Sequence, residues 1–403
     1  MHRNHITTSL CSLIAVTGLV AAGSLAGCGP TAAGLEARAE AQARLDGVHA
    51  QFAYDQAHHE FSVGRFDAAH QHVDRAILGD PENPDAYVLK AKIFLEQHRL
   101  EKARQTLEEA LDTEPGFAAA HYYLGVVAER WSEREEAYRQ YARAFELRND
   151  HAPYLLAMAE SAISLGRLEE AESLVDDHLT YFEHDSGLRQ LRGQIDSLQG
   201  EIDAAVDHYH QARLLNPEDT TLLEELAWMQ FEAGMYARCH ETLTNIERLT
   251  EDVRPDLRHL EARCLTMLQR HSEARNVYSR LTIEQPSNLD VWIEYGQLVW
   301  EMGDDRRLAK CGRNVAALAP ERHEGYLYQA VVARNAGHLS RAARLLQDAC
   351  QRAPEAALPH LILGLTLEEL NAPGAADAYR QALRIDPTTS VARERLARLG
   401  RSP

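Results

Sequence analysis

The chain has 403 residues, 45% of them apolar and 26% charged, which is ordinary for a globular protein and ample for a large core. Its 14 prolines and 23 glycines exclude a collagen-like or mostly disordered chain, and six cysteines make neither a disulfide scaffold nor a zinc-spaced set. The net charge of −19 argues against nucleic acid as a partner, because gripping a phosphate backbone needs basic patches that displace counterions.

The chain opens with residues 1–9, which carry Arg3 and no acid, followed by Leu10–Ala26, apolar or small throughout. That is the build of a signal peptide, too short and too rich in Gly and Ser for a membrane span. The segment ends in Leu25-Ala26-Gly27-Cys28, which resembles the lipobox of bacterial lipoproteins. The resemblance implies removal of residues 1–27 and acylation of Cys28, palmitate included. Buried chains contribute about 0.8 kcal/mol per CH₂, so several acyl chains anchor a protein stably. Gly29 rather than Asp follows the cysteine. By resemblance to sorting in Gram-negative enteric bacteria, this implies the outer membrane, with the protein facing the periplasm. Residues 28–49 are then expected to be a lipidated tether, Gly29–Gly34, and a leading helix over the Ala/Glu/Arg-rich Leu35–His49.

From residue 50 the chain repeats itself. Repeats begin at 50, 84, 118, 152, 186, 220, 255, 289, 323 and 357, each 34 residues from the last except at 255. Position 8 of the repeat holds Ala57, Ala91, Gly125, Ala159, Gly193, Ala227, Ala262, Gly296, Ala330 and Gly364. Position 20 holds Ala69, Ala103, Ala137, Ala171, Ala205, Cys239, Ala274, Leu308, Ala342 and Ala376. Small side chains there let one helix's ridge enter a neighbour's groove at short range. A closing proline recurs as Pro81, Pro115, Pro217, Pro286, Pro320, Pro354 and Pro387, where it cannot continue a helix. Gly64, Gly166, Gly200, Gly234, Gly303 and Gly337 mark the turn between the two helices, where φ > 0 is favoured.

This pattern resembles the tetratricopeptide repeat, a 34-residue helix–turn–helix. It implies an all-α, right-handed α-solenoid of ten repeats over residues 50–388, with a capping helix and tail in 389–403. Three repeats depart from it. Repeat four lacks the closing proline and ends in the polar Glu183-His184-Asp185-Ser186. Repeat eight has Leu308, Gly312 and Val315 where small, aromatic and Ala are expected, so its helix B is expected to be shifted or loosened. Repeat ten has Pro373 in its turn and its pattern residues one position early, as after a one-residue deletion. After Pro387, Thr388-Thr389-Ser390 and Val391–Leu399 read as the capping helix that covers the last apolar face.

In this family helix A lines a concave face that binds proteins or peptides. Positions 2, 5, 9 and 12 of helix A form a stripe about 130° from the packing stripe. Many of these residues are large and apolar here, including Tyr54, Phe61, Tyr122, Trp228, Phe231 and Trp300, with Val88, Leu95, Leu156, Ile163, Ile293 and Leu327. Acids such as Glu129, Glu160 and Glu224 accompany them against few bases, Lys92, Arg263 and Arg334. Packing between repeats explains some of these residues; a groove for a basic amphipathic peptide is the sharper expectation. No repeat has Lys at position 5, so the family's clamp for a peptide C-terminal carboxylate is not expected.

Catalytic and cofactor motifs are missing from the sequence: no HExxH, phosphate-binding loop, GxGxxG before a strand, GxSxG or CxxCH occurs. His58, His59, His70 and His72 cluster in repeat one, but i, i+1 and i, i+2 pairs do not share a helix face. No metal, cofactor or enzymatic activity is expected. Cys239, Cys264, Cys311 and Cys350 read as small buried thiols, and Cys239 with Cys264 could pair in an oxidising compartment. The resemblances together imply a lipid-anchored interaction scaffold for assembly of an envelope machine, such as a pilus, secretion, outer-membrane or polysaccharide-export complex. The alternative is an adaptor that recruits or regulates peptidoglycan hydrolases or proteases.

Overall fold

The computed structural model describes residues 32–400, so residues 1–31, Cys28 among them, lie outside the described part. The described residues form twenty-one α-helices and no strand, an all-α stack of helix pairs. Helix A of the ten repeats is Ala32–Ser62, Pro84–Glu96, Ala118–Arg130, Ala152–Ser164, Ser186–Gln199, Thr220–Glu232, Pro255–Met267, Leu289–Glu301, His323–Asn335 and Ala357–Glu369. Helix B is Phe66–Gly79, Leu100–Thr113, Arg134–Leu147, Leu168–Asp176, Ile202–Leu215, Tyr236–Leu249, His271–Glu284, Asp305–Leu318, Leu339–Arg352 and Ala375–Ile385. Ser390–Leu399 closes the stack as the capping helix, its Ala392 buried against Ala375, Tyr379 and Ala382.

The helices divide into two compact segments, one ending at Leu147 with repeats one to three and one starting at Arg148 with repeats four to ten. In the first, buried Ala57, Ala69, Val73, Leu89 and Ile93 form one cluster and Phe94, Leu107 and Ala120 belong to the next. In the second, the largest cluster runs through repeats seven to ten around Tyr278, Trp292, Leu298 and Tyr328. All ten position-8 residues are buried. Gly193 shows why: a Cβ there would stand 3.0 Å from Tyr209 Cδ2 and 3.2 Å from the Ala205 carbonyl oxygen.

Helix ends follow local chemistry. Asn83, Asp185, Asp219, Asn288 and Asp304 each accept a backbone N–H two or three residues on, satisfying donors that the first turn leaves open. The residue at position 15 has positive φ in every repeat. Glycine supplies it six times; His98, Ser132, Gln269 and Asn371 adopt it in the other four repeats, which the glycine pattern alone did not reveal.

Four local expectations meet a different outcome or gain detail. The leading segment and helix A of repeat one are a single helix beginning at Ala32, without a separate tether over Ala32–Gly34. No proline interrupts this Ala/Glu/Arg run, and Gly47 alone does not break it. Repeat four keeps a helix B of only nine residues, and Asp185 caps the next helix by accepting from Leu188 N at 2.9 Å. Helix B of repeat eight is neither shifted nor loosened: it is a regular 14-residue helix with Leu308, Cys311, Gly312 and Val315 buried. In repeat ten Ala375 is the buried small residue, as the deletion requires.

Position 3 of helix A marks where one repeat meets the one before it. Ala86, Ala120, Leu188, Leu222, Leu257, Val291, Gly325 and Pro359 are all buried there. A Cβ on Gly325 would lie 2.6 Å from Ala316 N on helix B of repeat eight. The equivalent residue of repeat one, Phe52, is 63% exposed. It borders an open cleft of about 740 Å³ with His49, His72, Arg75 and Leu78.

Candidate protein-binding face on helix A

The stripe at positions 2, 5, 9 and 12 splits by burial. Val88, Leu95, Ile293 and Leu327 are buried and serve the core. Tyr54, Phe61, Tyr122, Leu156, Ile163, Trp228, Phe231 and Trp300 are half-buried, and Glu224 with them; Glu129 and Glu160 are exposed. Tyr54, Phe61, Tyr122 and Glu129 belong to the first segment; Glu160, Glu224, Trp228, Phe231 and Trp300 belong to the second.

In the first segment, Phe61 tilts against Phe66 with centroids 5.8 Å apart, and Lys92 Nζ sits 5.2 Å from the Phe61 centroid. Tyr122 packs against Tyr123 and Tyr141. Burial, with Asp85 and Asp55 nearby, pushes the Tyr54 phenol above its ordinary value.

In the second segment, Trp228 and Phe231 lie against the buried cluster of Leu223, Ala227, Leu243 and Leu260. Arg263 covers Phe231, its guanidinium carbon 4.5 Å from the ring centroid, while Tyr236 meets the ring at 5.3 Å. Arg263 over Phe231 repeats the relation of Lys92 over Phe61, a position-9 cation on the position-12 ring of the preceding repeat. The few bases of the stripe are therefore engaged: Arg334 also pairs with Glu369 at 3.0 Å. The acids are not a uniform negative field either, because Glu224 pairs with Arg254 at 2.8 Å. Trp300 meets Tyr328 edge-on at 6.2 Å.

A cleft of about 180 Å³ opens beside Phe231, lined by Arg263, Met267, Tyr278, Glu294 and Glu301 among others. Glu294 organises its floor, accepting from Tyr278 OH at 2.9 Å and lying 2.7 Å from His259 Nε2. Burial alone would raise its carboxyl, but the His259 contact, the Tyr278 hydroxyl and the Arg263 charge hold it below the ordinary value. The cleft thus offers an apolar wall, a fixed carboxylate and the exposed Met267 to a guest side chain. Tyr278 and Glu294 in the cleft, and His259 behind Glu294, were missed in sequence because they come from three helices and share no motif.

A larger open cleft of about 720 Å³ in the first segment was also missed. Trp131, the residue ending helix A of repeat three, stacks under Arg104 at 4.6 Å, with Glu108, Arg134 and Arg139 around it. Its one signal in sequence is a tryptophan at the edge of the inter-helix turn. Among the described residues, no group of three His, Cys, Asp or Glu could hold a metal ion, and no helix is long and apolar enough to cross a membrane.

Comparison with known proteins follows the same geometry. No curated protein matches the chain in sequence. Several solved structures are similar at low identity. PilF of Pseudomonas aeruginosa is 20% identical over 54% of this chain and 97% of its own, with a TM-score of 0.46. PilW, described as a widely conserved type IV pilus biogenesis factor, is 16% identical over 50% of this chain and 94% of its own, with a TM-score of 0.45. YrrB, a tetratricopeptide repeat protein with an unusual peptide-binding site, is 17% identical over 45% and 93%, with a TM-score of 0.35. Three tetratricopeptide repeat family profiles match residues 60–125, 96–303 and 327–389, the second spanning more than half the chain. On its repeat spacing, its helix pairs and the family match over residues 96–303, the chain belongs to the tetratricopeptide repeat family.

Proposed function

We propose that this protein is a lipid-anchored protein–protein interaction scaffold that supports assembly of a bacterial envelope machine. Repeat proteins of this kind act by presenting side chains along a stack of helices. The observation that carries the binding role is the half-buried aromatic set Trp228, Phe231 and Trp300 on helix A, with the Phe231 cleft beside it. Aromatics set in pockets dominate interface energies, with 2 kcal/mol or more lost on truncation in strong cases, roughly. The anchoring role rests on Leu25-Ala26-Gly27-Cys28 alone. A basic amphipathic partner agrees with the net charge of −19 and with exposed Glu129 and Glu160, which would speed encounter and make it salt-sensitive.

The test is in-membrane crosslinking with mass spectrometry of captured partners, comparing wild type with the double variant Trp228→Ala, Phe231→Ala. Loss of the captured partner with helicity and melting intact supports the binding face. Loss in step with melting assigns both residues to the core, and unchanged capture moves the partner elsewhere. Cys28→Ser should abolish fatty-acid labelling; continued labelling at mature size overturns the anchor.

A further inference from the structure

Cys239 occupies position 20 on helix B of repeat six, and Cys264 lies on helix A of repeat seven. Both are fully buried free thiols, and the Cys264 thiol donates to Cys239 Sγ at 3.0 Å. Cys311 and Cys350 are buried as well, but neither makes a sulfur–sulfur contact among the described residues. A disulfide has an S–S length of about 2.05 Å, so bonding asks the first two sulfurs to approach by about 1 Å.

We infer that Cys239 and Cys264 form a disulfide that staples helix B of repeat six to helix A of repeat seven. The two thiols lose two protons and two electrons as the bond forms, and a disulfide oxidant, a thiol–disulfide oxidoreductase or glutathione disulfide, is reduced to two thiols. One protein thiolate attacks the oxidant and expels one of its sulfurs; the second attacks the mixed disulfide and expels the other. Because both sulfurs are buried in the folded chain, exchange takes place while repeats six and seven are still closing. Once packed, the pair is shielded: the shared hydrogen bond and then burial push the Cys239 thiol up, away from the reactive thiolate.

The staple lies directly beneath the aromatic face. Cys264 follows Arg263, which covers Phe231, and Tyr236 on the Cys239 helix packs on the same ring. Oxidation would tie together the two helices that hold Phe231 in place. The inference rests on the thiol geometry and on an oxidising compartment, which export through residues 1–27 would supply; it does not depend on the scaffold reading.

The test uses the full chain, folded from denaturant with glutathione disulfide and then denatured with a maleimide probe and no reductant. Two fewer thiols should react than in the reduced control, and digestion should give one linked peptide pair joined through Cys239 and Cys264. Cys239→Ala is the matched control, since Ala fills position 20 in most repeats and folding should be retained, checked by its helicity; it should release Cys264 to the probe. Full labelling of the oxidised wild type, or linkage through other cysteines, overturns the inference.

Discussion

Tyr328 of repeat nine lies across Gly296 of repeat eight, and its hydroxyl donates to the Ile293 carbonyl at 2.9 Å. A Cβ on Gly296 would meet the ring at Cδ2 within 2.8 Å. In repeats three, five and ten the ring over the position-8 glycine comes from the same repeat: Tyr141 on Gly125, Tyr209 on Gly193 and Tyr379 on Gly364. Repeat eight has Gly312 at the tyrosine's place, and the next repeat supplies the ring instead.

Truncating that ring should therefore damage repeat eight from outside it. Tyr328→Ala is expected to cost about 3–5 kcal/mol and Tyr328→Phe about 1 kcal/mol, read from urea unfolding. Hydrogen exchange should rise in Leu289–Glu301 as well as in Tyr328's own helix. Damage confined to repeat nine would contradict the shared packing.

The left-handed residues give a second prediction. Gln269 has φ 59° at position 15, a conformation that disfavours a side chain, while Gly234 fills the same place with φ 71°. Gln269→Gly should stabilise by about 0.5–1 kcal/mol, and Gly234→Ala should destabilise by about 1 kcal/mol or more. Thermal melts of the two variants should move in opposite directions.

Position 3 separates covered from uncovered ends. Leu222 is fully buried beside Val206 and Tyr209, so Leu222→Ala should cost about 2–5 kcal/mol. Phe52→Ala removes a larger side chain at the same position but should stay within about 0.5 kcal/mol, because Phe52 is 63% exposed and no repeat precedes it among the described residues. Chemical denaturation monitored by far-UV circular dichroism distinguishes the two.

Glu261 carries the fourth prediction. Burial, with Glu247 nearby, pushes its carboxyl up to about 7, despite opposing charge from Arg280, Arg258 and Arg270. The folded state then holds a proton that the unfolded chain releases near its ordinary value of about 4.3. The stabilisation is full below that value and is lost as pH rises through about 7. Glu261→Gln should therefore exceed wild type in stability by about 1–2 kcal/mol at about pH 8, after discounting for partial exposure, and the gap should shrink at about pH 5. An equal gap at both pH values would show that Glu261 ionises normally.

The sequence by itself determined the repeat: its length, its two helices, the small residues at positions 8 and 20, and the closing prolines. These are local requirements of helix spacing and helix ends, and a periodic array prints them again and again. It also identified the half-buried aromatics, because positions 5, 9 and 12 follow from helical geometry. What each aromatic touches was settled only by the tertiary structure. Arg263 reaches Phe231 from the following repeat, Tyr328 reaches back to Gly296, and His259, Tyr278 and Glu294 meet from three helices. The same holds for Arg192, which gathers Glu172, Asp176 and the buried Asp196 around one guanidinium. Contacts between repeats join residues some 16–35 positions apart, and their partners depend on side-chain size at both ends. A repeat pattern carries the positions that must be small or apolar; it does not carry which neighbour will fill the space.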